Sequence, residues 1–152
     1  MTRSANKSSR RRAREYALQG IYQWYVAGNE PNDIQKGIAE DPPFAKVDQE
    51  FFKEIFRGAI DNAPELEATI GTAIDRPYVE LSPIEKSILL LATYEFARMT
   101  ETPYRVVMNE AIELAKSFGG TDGHKYVNGV LDKLAPKLRA SEKDANQRPN
   151  AT

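Results

Sequence analysis

The chain has 152 residues, 41% hydrophobic and 28% charged, which places it in the soluble globular range at the length of one ordinary domain. It has no cysteine and a single histidine, His124, which removes disulfides, thiolate catalysis, Cys-based zinc sites and His-clustered metal sites. The net charge of −1 hides an asymmetry: residues 1–14 carry six Lys and Arg and no acid, while the other 138 residues hold 15 Lys and Arg against 22 Asp and Glu.

The 3.6-residue apolar period dominates, and no stretch alternates convincingly as a strand. Residues 1–8 and 140–152 have no apolar period and are expected to be disordered, the first as a basic arm and the second as a polar tail. A first helix is expected from about Ser9 to Ala27, with Ser8 or Ser9 as N-cap and Gly28 just past its end. A short second helix follows Asn32 or Asp33 and stops before Pro42. The third runs from about Asp48 to Asn62 and buries Phe51, Ile55 and Ala59. Pro64 opens a fourth with Leu66, Ile70 and Ile74 on one face, ending before Pro77. Ser82-Pro83-Ile84-Glu85 is the clearest local signal: an N-cap serine, proline at the first helical position and glutamate three residues after the cap. That fifth helix reaches about Met99 and is apolar nearly all round, so it is expected to be the most buried. Glu95 shares its apolar stripe and needs a hydrogen-bonding partner there. The sixth helix runs from near Pro103 to Gly119-Gly120, and the seventh from near Asp122 to near Pro136. The fold class is therefore all-α, about seven helices spanning residues 9–139.

The longest strictly aliphatic run, Ile88 to Ala92, is five residues, far short of the roughly 20 that span a membrane. No apolar segment follows the basic start, so no secretory signal is read there. The expected location is the cytoplasm, with no membrane partner.

Catalytic signatures are absent. Gly119-Gly120-Thr121-Asp122-Gly123 follows a helix and lacks the Lys-Ser/Thr of a phosphate loop. His124 has no nucleophile-elbow serine near it. Glu110 and Glu113 lie on a polar helix face beside Lys116, as solvated carboxylates do. Neither an enzyme activity nor a cofactor or metal is expected.

Binding features are stronger. At about 100° per residue, Ala13, Ala17, Gly20, Ile21 and Trp24 form one stripe of the first helix, and Arg11, Arg12, Gln19, Tyr22 and Gln23 face away from it. Arg10 and Arg14 share the direction of the stripe, at the extreme start of the helix, where they are expected to project past the packed body. The planar guanidinium fork pairs with phosphate and stacks on bases. In the seventh helix Val127, Val130, Leu131 and Leu134 make the buried stripe and leave Lys125 and Tyr126 in the first turn. A cation beside an aromatic there suits single-stranded nucleic acid, phosphate on one and base on the other. Asp122 reads as the N-cap of that helix or as an acceptor for a base. Tyr22 reads as a half-buried tyrosine or as a partner contact.

The runs Arg10-Arg11-Arg12-Ala13-Arg14-Glu15-Tyr16-Ala17-Leu18-Gln19, Tyr94-Glu95, Asn109 to Gly119 (NEAIELAKSFG) and Tyr126 to Lys133 (YVNGVLDK) resemble the bacterial NusB transcription antitermination family, in the expected order over residues 10–135. The resemblance implies seven helices in two subdomains and a non-enzymatic role: binding the boxA sequence of nascent RNA together with NusE, a ribosomal small-subunit protein, to build the RNA polymerase antitermination complex, notably in ribosomal RNA operons. It implies RNA contacts from Lys7, Arg10, Arg11, Arg12 and Arg14 and from Asp122, Lys125 and Tyr126, with Tyr22 and Glu85 on or near the NusE face. Tyr126 stands where the family usually has Phe, and its extra hydroxyl is expected to find water. Leu90 stands where many members have Arg, and Met108 where Ile is common. Residues 28–50 match weakly and carry no assigned role. Monomer and homodimer both stay open, as does the base preference of the RNA.

Two other readings remain. Similar helical domains precede the catalytic domain of some ribosomal RNA cytosine methyltransferases, but no cofactor-binding α/β domain follows within these 152 residues. A purely protein-binding helical adaptor would show no affinity for RNA.

Overall fold

The computed structural model describes the backbone of residues 2–120 and 123–140, and the side chains of residues 9–120 and 123–140. Among the described residues there are seven α-helices and no strand: α1 (Thr2–Ala27), α2 (Pro31–Ala39), α3 (Gln49–Asp61), α4 (Ala63–Gly71), α5 (Pro83–Arg98), α6 (Tyr104–Phe118) and α7 (Gly123–Leu138). Short 3₁₀ turns occupy Pro42–Lys46 and Tyr78–Glu80. The chain divides into two compact units, Met1–Ala63 and Pro64–Thr152.

In the first unit α1 packs on α3 and α2. Ala13, Ala17, Leu18 and Ile21 are buried on the inner stripe of α1, facing a core that includes Phe52, Ile55 and Phe56. Gly20 is needed where the helices come closest: a Cβ there would sit 2.6 Å from Phe56 Cε1. An aromatic chain extends this core, with Tyr16 on Phe44 at 5.1 Å, Phe44 on Phe52 at 5.0 Å and Phe52 stacked on Phe56 at 5.3 Å between centroids. Phe44 belongs to the Pro42–Lys46 turn, which the periodicity of the sequence does not reveal. Asp48 caps α3 by accepting the Phe51 N–H at 3.1 Å.

The start of α1 differs from the expectation. The helix begins at Thr2, not near Ser9, so neither Ser8 nor Ser9 caps it and the arginine run lies well inside it. Its end agrees: Gly28 takes φ +68 immediately after Ala27 and donates its N–H to Trp24 O.

In the second unit α5, α6 and α7 pack on one another. Ten consecutive residues of α5, Ser87 to Phe96, are buried, as its all-round apolar pattern requires. The helix opens with a complete capping box: Ser82 Oγ accepts the Glu85 N–H at 3.1 Å and Glu85 Oε1 accepts the Ser82 N–H at 3.3 Å. Its other end is closed by Arg139, which is buried and donates to the carbonyls of Phe96 (2.7 Å), Thr102 (2.9 Å), Met99 (3.0 Å) and Glu95 (3.1 Å). The last-turn carbonyls of a helix lack internal partners, and a guanidinium satisfies several at once.

Two boundaries fall elsewhere than expected. Helix α4 stops at Gly71, where Thr72 and Ala73 close a turn onto Thr69 and Ile70, so Ile74 lies beyond the helix. Helix α7 continues past Pro136 to Leu138, and Arg139 N–H reaches Ala135 O at 2.7 Å. A proline this near the C-terminus forfeits one hydrogen bond without ending the helix.

Candidate nucleic-acid interface

The four arginines of the α1 run separate into two pairs. Arg11 and Arg12 are exposed. Arg10 and Arg14 turn toward α3 and bracket Phe51, with guanidinium carbons 4.4 and 4.9 Å from the ring centroid. Arg10 also donates its Nε–H to Asp48 Oδ2 at 3.3 Å. Arg14 is only 5% exposed, so it does not project past the packed body as expected. The reason is the earlier helix start: Arg14 sits several turns inside α1, opposite α3, where its stem packs and its head lies on an aromatic face. Asp48 thus serves two groups, the first turn of α3 and the Arg10 side chain, and fixes the orientation of the helix that displays Arg11 and Arg12. The side chain of Lys7 lies outside the described residues.

Tyr22 is 41% exposed on the same helix. Gln19 and Gln23 from its face line a cleft of about 390 Å³ with Tyr16, Asp33 and Asp41. Tyr16 donates a hydrogen bond to Asp41, which together with desolvation holds the phenol above its usual pKa.

In the second unit Lys125 is exposed and Tyr126 half-buried in the first turn of α7. Asp122 lies outside the described residues, and its part as N-cap or base acceptor with it. The hydroxyl of Tyr126 is buried away from bulk solvent and has no hydrogen-bond partner among the described residues. Burial raises the Tyr126 pKa above 10.0, against the opposing pull of Arg76. Arg76, from the segment after α4, lays its guanidinium over the Tyr126 ring at 4.9 Å and donates its Nε–H to Asp75 at 3.1 Å. That hydrogen bond, with the attraction of the charges, lowers the Asp75 pKa and raises that of Arg76. Arg76 has no signature in the sequence, because a contact fifty positions away leaves no periodic signal. Glu85 is half-buried with one carboxylate oxygen committed to the capping box, and Arg76 and Tyr126 both feel its charge.

Among the described residues no group of His, Cys, Asp or Glu could hold a metal ion, and no helix is long and apolar enough to cross a membrane. What the sites offer is exposed cations, most of them on helices, backed by aromatic rings and by an aspartate in each unit, Asp48 and Asp75. That is an arrangement for binding an anion.

The transcription antitermination protein NusB of Azoarcus sp. (strain BH72) is 55% identical over 142 residues, covering 93% of this chain and 92% of that protein. Its counterpart in Nitrosospira multiformis is 58% identical over 129 residues, covering 85% and 82%. Among solved structures, Thermotoga NusB (T. maritima, form 2) superposes with a TM-score of 0.77 at 26% identity, covering 89% of this chain and 96% of that one. A chain from the crystal structure of antitermination factors NusB and NusE in complex with dsRNA superposes with the same TM-score at 22% identity, covering 86% and 98%, a likeness of fold. Residues 11–136, from the exposed arginines through the C-terminal turns of α7, match the NusB family, and the chain belongs to it.

Proposed function

We propose that this chain acts by assembly, holding boxA-type RNA jointly with NusE and carrying both into the antitermination complex on RNA polymerase in the cytoplasm. The observation that carries the RNA-binding part is the division of the α1 arginines. Arg10 and Arg14 anchor the helix to Asp48 and Phe51, and Arg11 and Arg12 face solvent on the rod so fixed. A cation on an anchored helix loses less freedom on binding phosphate than one on a loose tail. Lys125 with Tyr126 supplies a second contact of the same kind, in the other unit. The relatives' shared description as transcription antitermination proteins supports the process, and the solved NusB–NusE–dsRNA complex supports the two partners. Tyr22, exposed on α1, is assigned to the NusE contact. The body outside the arginine run carries an excess of acid, which suits a basic ribosomal protein and discourages indiscriminate RNA binding.

The test is the salt dependence of RNA affinity. About four to six phosphate contacts with a single strand give a log–log slope of about −3 to −4. Replacing Arg11 and Arg12 by Ala should weaken binding and flatten that slope without lowering the melting temperature. Unchanged affinity at moderate salt in a folded double variant would refute the assignment.

A further inference from the structure

We infer that the RNA backbone crosses the outer face of α7 at Gly129, between Lys125 and Lys133, with Arg76 as the cation at its edge. This rests on the RNA-binding reading above and extends it to three residues that reading does not use.

Lys125, Gly129 and Lys133 follow one another at i, i+4 and i+8, so they form a single ridge along α7. All three are exposed, and the rise of 1.5 Å per residue separates the two lysines by about 12 Å along the axis. Gly129 is the gap between them. Glycine inside a helix is unfavourable relative to alanine, so it calls for a reason. Gly20 in α1 has one inside the fold, the ring of Phe56, but Gly129 has none: a Cβ built there meets nothing within 4 Å among the described residues. A glycine that no internal neighbour requires, flanked by lysines on a solvent-facing ridge, fits the close approach of a phosphate backbone.

Arg76 completes the edge. Its Nε–H is held by Asp75 and its guanidinium carbon lies over the Tyr126 ring, which leaves the N–H donors of its two terminal nitrogens for a phosphate or a base edge. With its side chain 45% exposed, this arginine is positioned and still reachable. Lys133 lies near enough to contribute, after Arg76, to the lowered pKa of Asp75, so Arg76 and Lys133 border the same carboxylate. Asp75, Asp132 and Glu85 are the acids nearby; they limit the attraction to a backbone that can reach the cations closely. The Arg76 guanidinium also lies over the Tyr126 ring, so a base meeting this edge would meet the guanidinium, on which bases stack.

The experiment measures a fluorescein-labelled single-stranded boxA-type RNA by anisotropy across a salt series, in the presence and absence of NusE, with thermal melting of each variant alone. The full chain is compared with Gly129→Ala, Arg76→Gln and Lys133→Gln. Gly129→Ala should melt no lower than the parent and yet bind RNA more weakly. Arg76→Gln and Lys133→Gln should each reduce the steepness of the log–log slope by about 0.7, the share of one phosphate on a single strand. If all three variants keep the parent's affinity and slope while the parent binds, the track is wrong and the RNA-binding reading stands. If Gly129→Ala loses affinity only together with melting temperature, the glycine is structural and the crossing is refuted. A folded parent that binds no RNA, with NusE or without it, would overturn both readings.

Discussion

Arg14 lies with its guanidinium 4.9 Å from the centre of the Phe51 ring and is almost fully buried, although it belongs to the same run as the exposed Arg11 and Arg12. The run therefore contains both packed anchors and exposed cations. Arg14→Ala should lower stability by about 1–2 kcal/mol, from the lost cation–π contact and the packed stem. Arg11→Ala and Arg12→Ala should leave stability within about 0.5 kcal/mol, as for ordinary surface positions. Chemical denaturation of the three single variants checks this, and equal losses at all three would contradict the division.

Asp48 separates two effects that one substitution would confound. Asp48→Asn keeps an N-cap oxygen for the Phe51 N–H but removes the charge facing Arg10. It should cost little stability and weaken RNA binding through a less ordered α1 start. Asp48→Ala removes the cap as well and should cost about 1 kcal/mol. Melting temperature and RNA affinity measured on both variants separate the cap from the ion pair.

Arg139 is predicted to matter more for folding than any residue of the proposed RNA sites. Arg139→Ala removes a donor from four carbonyls around the end of α5, of which Glu95 O and Met99 O keep the N–H groups of Met99 and Thr102. The expected loss is about 3 kcal/mol, in the range of hydrogen bonds to a charged group. Arg139→Lys, with no planar fork, should recover only part of it. Urea denaturation of both variants tests the order.

Tyr126 carries a pH prediction. Its folded pKa is raised by burial, so the neutral phenol is favoured in the fold. The associated stability is complete below the unfolded value near 10 and is lost as pH rises through the folded pKa. Tyr126→Phe removes the buried hydroxyl, which has no partner among the described residues. It should raise stability by about 1 kcal/mol at neutral pH and remove this part of the alkaline loss. Melting curves at neutral pH and above pH 10 decide it; a variant less stable than the parent at neutral pH would contradict the account.

Gly20→Ala brings a Cβ against Phe56, itself stacked on Phe52. The expected cost is about 1–3 kcal/mol, as for other overpacked cores. Denaturation of this variant beside Gly129→Ala should give opposite signs, because one glycine faces a ring and the other faces open space.

The features legible in the sequence were those set by local chemistry. The capping box at Ser82, the buried stripe of α7, Gly28 after α1 and the buried length of α5 all follow from residue type and spacing. Arg14 was misjudged because its exposure depends on where α1 begins, and the polar residues 2–8 carry no apolar period to announce a helix. Phe44 was hidden because a 3₁₀ turn buries one residue without repeating. The Arg76–Tyr126 pair and the Arg139 closure of α5 join residues far apart in the chain, which is information that exists only after folding. For the candidate site, periodicity identified the faces of α1 and α7, and packing determined which cations on them are turned outward.

The proposed function stands on joint recognition of RNA by this chain and NusE. The most direct measurement is anisotropy of a labelled boxA RNA, with a scrambled RNA alongside, titrated with this protein in the presence and absence of NusE. Tight binding that distinguishes boxA from the scrambled strand only when both proteins are present is the predicted result. A folded sample that binds neither RNA in either condition would contradict it and leave a protein-binding adaptor.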